Sequence, residues 1–547
     1  MNRKEKIAKF NIGIKLSAHF ILALTPLIAY SMQLKGGWRF DDAHHLLFLS
    51  KFNYFEYFYD FEAARLQSGS HYTPFNILTY DIANRLFSKE SRQLWYLLHL
   101  AYLGCASILL FSLLSKVFDA FSGFFAALIF SLGFPIAAMS GQLMVGHYVL
   151  GLCFALAAMS TCRPSDTSAS PISVLLYFLA CLSKEIYFPF VIFIALRFEK
   201  ISVKKIFPYI AVGLIFIALR AIVIGQLIGG YNKKSDLTES FLNLFFGFLT
   251  IFSQSTAHIF LAILIFIGAF FSIFEYYKKH DFIKTSLVVT LVFASIFGPL
   301  TAVHQQVSPN SPGDSRLLLM AWLTAIYFIA SLLHKLRKKS GNFGLAGFLM
   351  LALMTSIASY KTGQDILNKG ILSTINKQFD LFSEYITDQH QCHLIDNHNG
   401  WSSWAYDLQL AILPLQVGHR VVAPDRIIDF MVRADSPVCK INDNKIELFR
   451  YTNQVECDQK KSLAVRMNFD GSNIAMNFGP EKSGTYYIDV AQKYVLAVPA
   501  DFYGPFPSTD RFEKIKIYRI FDDESIGCTK EINFNPKTGP KLVEDGG

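Results

Sequence analysis

Two adjacent carboxylates, Asp41 and Asp42, follow the first apolar run, in Gly36-Gly37-Trp38-Arg39-Phe40-Asp41-Asp42. A carboxylate so placed is a general base able to take a proton from a hydroxyl. The freed oxygen then attacks a carbon bonded to phosphate. Phosphate leaves readily without a strong acid, but its developing charge needs cations. Lys184 and Arg316 are the candidates, because each stands at the end of an apolar run where a lipid phosphate would lie. The competing reading is that the aspartates solvate a loop or cap a helix. Spacing alone weights the two readings equally.

Lys184-Glu185 interrupts an otherwise apolar stretch, 172–197. A charge at the bilayer centre costs about 2.5–3.5 kcal/mol on insertion scales, and such residues usually face a cavity. The bland alternative is an internal ion pair at a helix end, with Glu185 supporting Lys184. In Asp41-Asp42-Ala43-His44-His45 the histidines suggest a metal, but the i, i+4 spacing of a helical metal site is missing. His44 and His147 are therefore supporting candidates, and the metal is left unassigned. Asp81 and Arg85, one helical turn apart beyond Asn76, fit a salt pair better than a catalytic one. The phosphate-cradling, dinucleotide and serine-hydrolase glycine motifs are absent from the sequence.

These groups need a scaffold, and composition says what it is. The chain has 547 residues, 52% of them hydrophobic and only 17% charged, with a mean hydropathy of +0.33. Lipid is the main solvent for such a chain. Spans are expected at roughly 12–32, 94–115, 117–134, 138–161, 172–183, 186–197, 206–225, 257–276, 284–303, 317–335 and 342–360, about eleven in all. The first follows a basic start (Arg3, Lys4, Lys6, Lys9) and is longer than a signal-peptide core, so it reads as an uncleaved helix. Around Lys184 two short helices are expected to meet. After Asp42, Phe48, Phe52, Phe55 and Phe58 suit one amphipathic helix in the interface.

Positive clusters lie at Arg3–Lys15, Lys116, Arg197–Lys205, Lys278–Lys284 and Lys335–Lys339. A cytoplasmic N-terminus puts all of them inside. Loop 33–93 and the tail 361–547 then fall outside, as in a multi-pass inner-membrane protein with a periplasmic C-terminal domain. The net charge of +9 follows from this topology, so nucleic acid is not an expected partner.

The tail reads as a β-rich or α+β domain, with strands expected at Lys445–Tyr451, Leu463–Phe469, Tyr486–Asp489, Lys493–Val498 and Lys514–Phe521. Residues from about Asn535 look disordered. A helical stretch near 361–385 and the aromatics Trp401, Trp404 and Tyr406 precede the strands. Its cysteines, Cys392, Cys439, Cys457 and Cys528, permit two disulfides or four thiols.

Four local matches, in order, resemble the GT-C superfamily of polyprenyl-phosphate-sugar-dependent glycosyltransferases, nearest in pattern to its protein O-mannosyltransferase-like members. They are Phe40-Asp41-Asp42; Tyr72-Thr73-Pro74 with Asn84-Arg85-Leu86-Phe87 and Leu98-His99; Leu182-Ser183-Lys184-Glu185 with Pro189; and Ser315-Arg316-Leu317. The resemblance covers about residues 10–335. It implies a polytopic α-helical catalytic domain over 1–360 and inverting transfer from a lipid-phosphate sugar to a glycan, lipid or protein acceptor. It also implies Asp41 or Asp42 as base, and Lys184 and Arg316 on phosphate. Some branches of the family use a divalent metal and others none. Thr73 and His147 stand where many or some members carry Arg. The alternatives are a transporter or flippase of lipid-linked saccharides and a non-catalytic membrane scaffold.

Overall fold

The computed structural model describes residues 3–36, 38, 42–68, 71–87, 91–163, 165–198, 202–225, 256–280, 282–297 and 316–339, isolated positions between 346 and 361, and parts of the tail between 393 and 541. In chain order the helices are α1 (Arg3–Ala29), α2 (Asp42–Lys51), α3 (Glu56–Tyr59), α4 (Phe61–Gln67), α5 (Pro74–Leu86), α6 (Arg92–Val117), α7 (Ala120–Leu132), α8 (Phe134–Ser140), α9 (Gly146–Thr161), α10 (Pro171–Ser183), α11 (Val191–Ala195), α12 (Val203–Ile224), α13 (Thr256–Lys279), α14 (Phe282–Phe297) and α15 (Leu319–Lys339). Two compact units emerge. One is Met1–Gly36 with Phe52–Ala64 and Ser68–Ser373; the other is Gly37–Lys51 with Arg65–Gln67 and Thr374–Gly547.

The first unit is a bundle of apolar helices. Among the described residues, five helical stretches are long and apolar enough to cross a membrane: Arg92–Val117, Leu143–Thr161, Val203–Ile224, Leu261–Lys279 and Arg316–Lys339. The pair α7 and α8 makes a sixth, bent by 51°. Eleven crossings were expected, and this number is corrected. The stretches Lys15–Ala29, Pro171–Ser183, Glu185–Ala195 and Phe282–Ile296 are apolar but short. At about 1.5 Å per residue the last three fall short of the ~30 Å of a hydrocarbon core, whereas Lys15–Ala29 is the apolar part of the longer helix α1. The runs 241–253 and, apart from isolated positions, 342–360 lie outside the described residues.

The bend between α7 and α8 has a local cause. Pro135 lacks the N–H that would continue α7, and Gly133 packs so closely on the Trp322 indole that a Cβ there would overlap the ring. Every residue of α8 is buried. The non-helical Gly141-Gln142 that follows is buried as well, as is the 3-10 turn Leu143–Val145, the condition under which non-helical backbone is tolerated at membrane depth.

Side-chain contacts fix the polarity of the bundle. Toward one end, His19 of α1 meets Ser112 of α6 at 3.1 Å. Asp119 caps α7 and receives His334 at 2.6 Å and Arg337 at 2.7 Å from the last turns of α15. Lys335 pairs with Glu275 of α13 at 3.2 Å. Cys162, Ser173 and Tyr209 join the end of α9 to the starts of α10 and α12. These contacts place Lys15, Lys116, Lys204, Lys278 and Lys335–Lys339 at a common basic end. At the opposite end lie the start of α9 beside His99 and Thr79, and the end of α10.

The aromatic run after Asp42 is not one helix. Asn53 accepts from Phe55 N at 3.1 Å and Glu56 accepts from Asn53 N at 3.2 Å, a reciprocal cap that ends one segment and starts α3. Phe48 is buried, whereas Phe55 is 65% exposed.

The second unit holds the strands β1 (His393–Ile395), β2 (Arg420–Val421), β3 (Val438–Asn442), β4 (Lys445–Phe449), β5 (Ala464–Phe469), β6 (Asn473–Gly479), β7 (Thr485–Val490), β8 (Tyr494–Pro499), β9 (Asp501–Pro505), β10 (Glu513–Ile520), β11 (Ile526–Cys528), β12 (Ile532–Asn535) and β13 (Gly539–Lys541). A mixed sheet runs β13-β12-β10-β7-β8-β2-β1-β3-β4, with β11 on β10, and a smaller one runs β5-β6-β9. Tyr486 is fully buried between the Phe478 ring at 4.7 Å and the Arg519 guanidinium at 4.7 Å. One part of the expected disorder is corrected: Gly539–Lys541 forms β13, paired with β12, while 542–547 lie outside the described residues. Cys528 is disulfide-bonded, and the four cysteines of the helical part are free. The stretch 361–385, Lys361 aside, and Trp401, Trp404 and Tyr406 lie outside the described residues.

Candidate functional site

Helix α10 stops at Lys184, whose backbone is extended (φ −160°, ψ 141°), and a 3-10 turn begins at Glu185. Pro189 keeps that turn from continuing as a regular α-helix. The break turns Lys184 inward. Its side chain is 7% exposed, with Nζ 3.3 Å from Glu185 Oε2 and 5.3 Å from the centroid of the Tyr148 ring. Charge pairing and a cation–π contact together offset its removal from water.

Glu185 also binds two groups that sequence reasoning missed. Its Oε1 accepts from His71 Nδ1 at 2.9 Å and lies 3.4 Å from Arg220 Nε. Arg220 is 4% exposed and sits near the end of α12. An arginine alone in an apolar helix was the signal for it. His71 had no local signal, because its partner lies 114 residues away. The His71 loop is fixed from below: Tyr72 stacks on Tyr57 at 5.7 Å, and the Tyr57 hydroxyl accepts from Thr73 N at 3.2 Å. Burial, then the charge of Lys184, holds the His71 imidazole below its usual range against the opposing pull of Glu185.

The remaining candidates fall as follows. His147 is buried in the first turn of α9, its ring 4.7 Å from that of Tyr148, the residue under Lys184. Arg316 Nη1 donates to Gln142 Oε1 at 3.1 Å in the irregular segment before α9. Gln142 is itself tied to Ala138 O at 3.1 Å. Lys184, Glu185, His147 and Arg316 thus share the end of the bundle away from the basic face. Asp81 and Arg85 form the salt pair, at 2.8 Å.

Asp42 belongs to the second unit. It is fully buried in the first turn of α2, where the helix dipole favours a negative charge. One turn on, His45 Nδ1 accepts from Gln67 Nε2 at 2.6 Å. Asp41 and the His44 side chain lie outside the described residues. Among the described residues, no group of three His, Cys, Asp or Glu side chains is placed to hold a metal.

No family profile, curated protein or solved structure matches this chain. The residues are thus the whole basis for a functional reading. The architecture is that of a membrane-embedded helical protein with a β-rich C-terminal unit.

Proposed function

We propose that the chain is an integral-membrane inverting glycosyltransferase of GT-C type, moving a sugar from a polyprenyl-phosphate donor to a glycan, lipid or protein acceptor outside the cytoplasm. The observation that carries this reading is the buried basic cluster on Glu185, at the end of the bundle opposite the basic face. If the basic end faces the cytoplasm, the cluster lies at the level of the outer headgroups. Lys184 and Arg220 then hold the donor phosphate, with Arg316 as a further cation. Glu185 fixes their geometry, and His147 backs the Tyr148 platform. Asp41 and Asp42 stay the candidate bases for the acceptor proton, on the sequence argument alone, and the acceptor oxygen displaces phosphate from the sugar carbon. Direct displacement of this kind inverts the centre.

The test uses purified protein in liposomes with a panel of polyprenyl-phosphate hexoses and pentoses. Donor consumption and a glycosylated product support the reading. Unchanged turnover in both Asp41→Asn and Asp42→Asn removes the aspartates as bases.

A second reading is favoured by the bent pair α7 and α8 and the buried irregular backbone after it. Broken helices around a buried polar site are also the architecture of transporters. A flippase would move a fluorescent lipid-linked saccharide between leaflets with its sugar intact.

A further inference from the structure

Glu185 gathers three basic side chains from three parts of the chain. Oε1 lies 2.9 Å from His71 Nδ1 and 3.4 Å from Arg220 Nε, and Oε2 lies 3.3 Å from Lys184 Nζ. An ionised carboxylate only accepts hydrogen bonds, so His71 carries its proton on Nδ1, and in the neutral ring Nε2 holds a lone pair. Burial and Lys184 keep the ring neutral at neutral pH. Among the described residues, the charged groups that act on it include Lys184 and Glu185 from the break after α10 and Arg220 from α12.

A lipid phosphate held by Lys184 and Arg220 would lie close to His71, which shares the Glu185 carboxylate with them. A sugar-bearing phosphate is a diester with one negative charge. The monoester left after transfer gains a second, with a pKa of about 6. An added negative charge beside an imidazole favours its protonated form. We infer that His71 takes up a proton when a phosphate monoester occupies this site, matching the charge that the leaving group gains. The inference rests on Lys184 being the phosphate ligand of the transfer reading. The step balances without any oxidant or reductant. The acceptor oxygen bonds to the sugar carbon, and its proton passes to the aspartate base. The carbon–oxygen bond to phosphate breaks with its electron pair on phosphate. The aspartate returns a proton to water, and His71 draws one from water.

Proton uptake can be read directly, without turnover. Full-length protein in detergent is titrated calorimetrically at pH 7 with farnesyl phosphate, in buffers of different ionisation enthalpy. Methyl farnesyl phosphate, a diester, serves as the control. The expected result is uptake of most of one proton with the monoester and none with the diester. Loss of the ligand's own proton would have the opposite sign. His71→Asn should abolish the uptake and weaken monoester binding about tenfold, one pKa unit's worth, while sparing the diester. Equal proton uptake for the two ligands on the unaltered protein overturns the inference even if no variant folds, and so does failure to bind either. Uptake without sugar transfer defeats the transferase reading but supports the proton coupling. Transfer without uptake defeats the role of His71 alone.

Discussion

His71 and Glu185 are separated by 114 residues in the chain and joined by a 2.9 Å hydrogen bond, Nδ1 to Oε1. The same carboxylate faces Lys184 and Arg220. Glu185→Ala would leave these cations facing one another in a poorly hydrated site. Breaking a buried pair by removing one partner costs about 3–5 kcal/mol. With 21% of the Glu185 side chain exposed, the low end of that range is expected, about 3 kcal/mol. Thermal unfolding in detergent checks it, and Glu185→Gln should lose less because the hydrogen bond from His71 survives.

At the basic end, Asp119 supports an acid-sensitive contact. Burial raises its pKa, but His334, Ser122 and Arg337 together bring it down to about 2. The unfolded carboxyl titrates near about 3.9. The resulting stability is complete above that value and is lost as pH falls toward 2. Asn remains a good helix cap, so Asp119→Asn should remove the pH-dependent part and flatten the unfolding profile between these limits. An unaltered acid limb in this variant would show that the contact with α15 carries no stability.

Close helix approach makes certain glycines irreplaceable. A Cβ on Gly104 of α6 would stand 2.7 Å from the Ala23 carbonyl oxygen of α1, a backbone atom that has no rotamer to give way. Gly104→Ala should cost about 1–3 kcal/mol by overpacking. At Gly479 the nearest atom to such a Cβ is 3.7 Å away, on Ala464. Gly479→Ala should therefore fall within about 0.5 kcal/mol of the unaltered protein. Comparing the two unfolding midpoints tests the packing argument.

The shared basic end gives a topological prediction. In a background without the native cysteines, Lys116→Cys, Lys279→Cys and Lys338→Cys should react with a membrane-impermeant maleimide only from the cytoplasmic side. Arg85→Cys, exposed near the end of α5, should react only from the other side. Labelling of Arg85→Cys and Lys338→Cys from the same side would contradict this arrangement.

Some of this was legible in the sequence. The break at Lys184 could be read because two charges interrupt an apolar stretch, and that signal is local. Arg220 sends the same signal but was passed over inside a run counted as one span. His71 was not legible, since its role depends on a contact between distant segments. The strands β4, β5, β7, β8 and β10 followed from alternation, whereas β1, β2, β3, β6, β9, β11, β12 and β13 were not anticipated. The span count was too high because short apolar pieces were counted as crossings: 172–183 and 186–197, divided by Lys184-Glu185, each fall short of a bilayer, and the helix in 284–303 is apolar over Phe282–Ile296 alone. Of the proposed site, Lys184, Glu185, His147 and Arg316 occur at one end of the first unit. Asp42 falls in the second, which spacing along the chain gave no means to foresee.

Donor consumption by the purified protein is the most direct test of the central claim, that the cluster on Glu185 binds a lipid phosphate for sugar transfer. Mass spectrometry of proteoliposomes loaded with polyprenyl-phosphate sugars follows the loss of donor and the appearance of free polyprenyl phosphate. The expected result is turnover by the unaltered protein and a loss of about 100-fold or more in Lys184→Met, consistent with removing a preorganised charge from the leaving group. A folded Lys184→Met protein that consumes donor at the unaltered rate would contradict the account, as would intact donor in every liposome containing the unaltered protein.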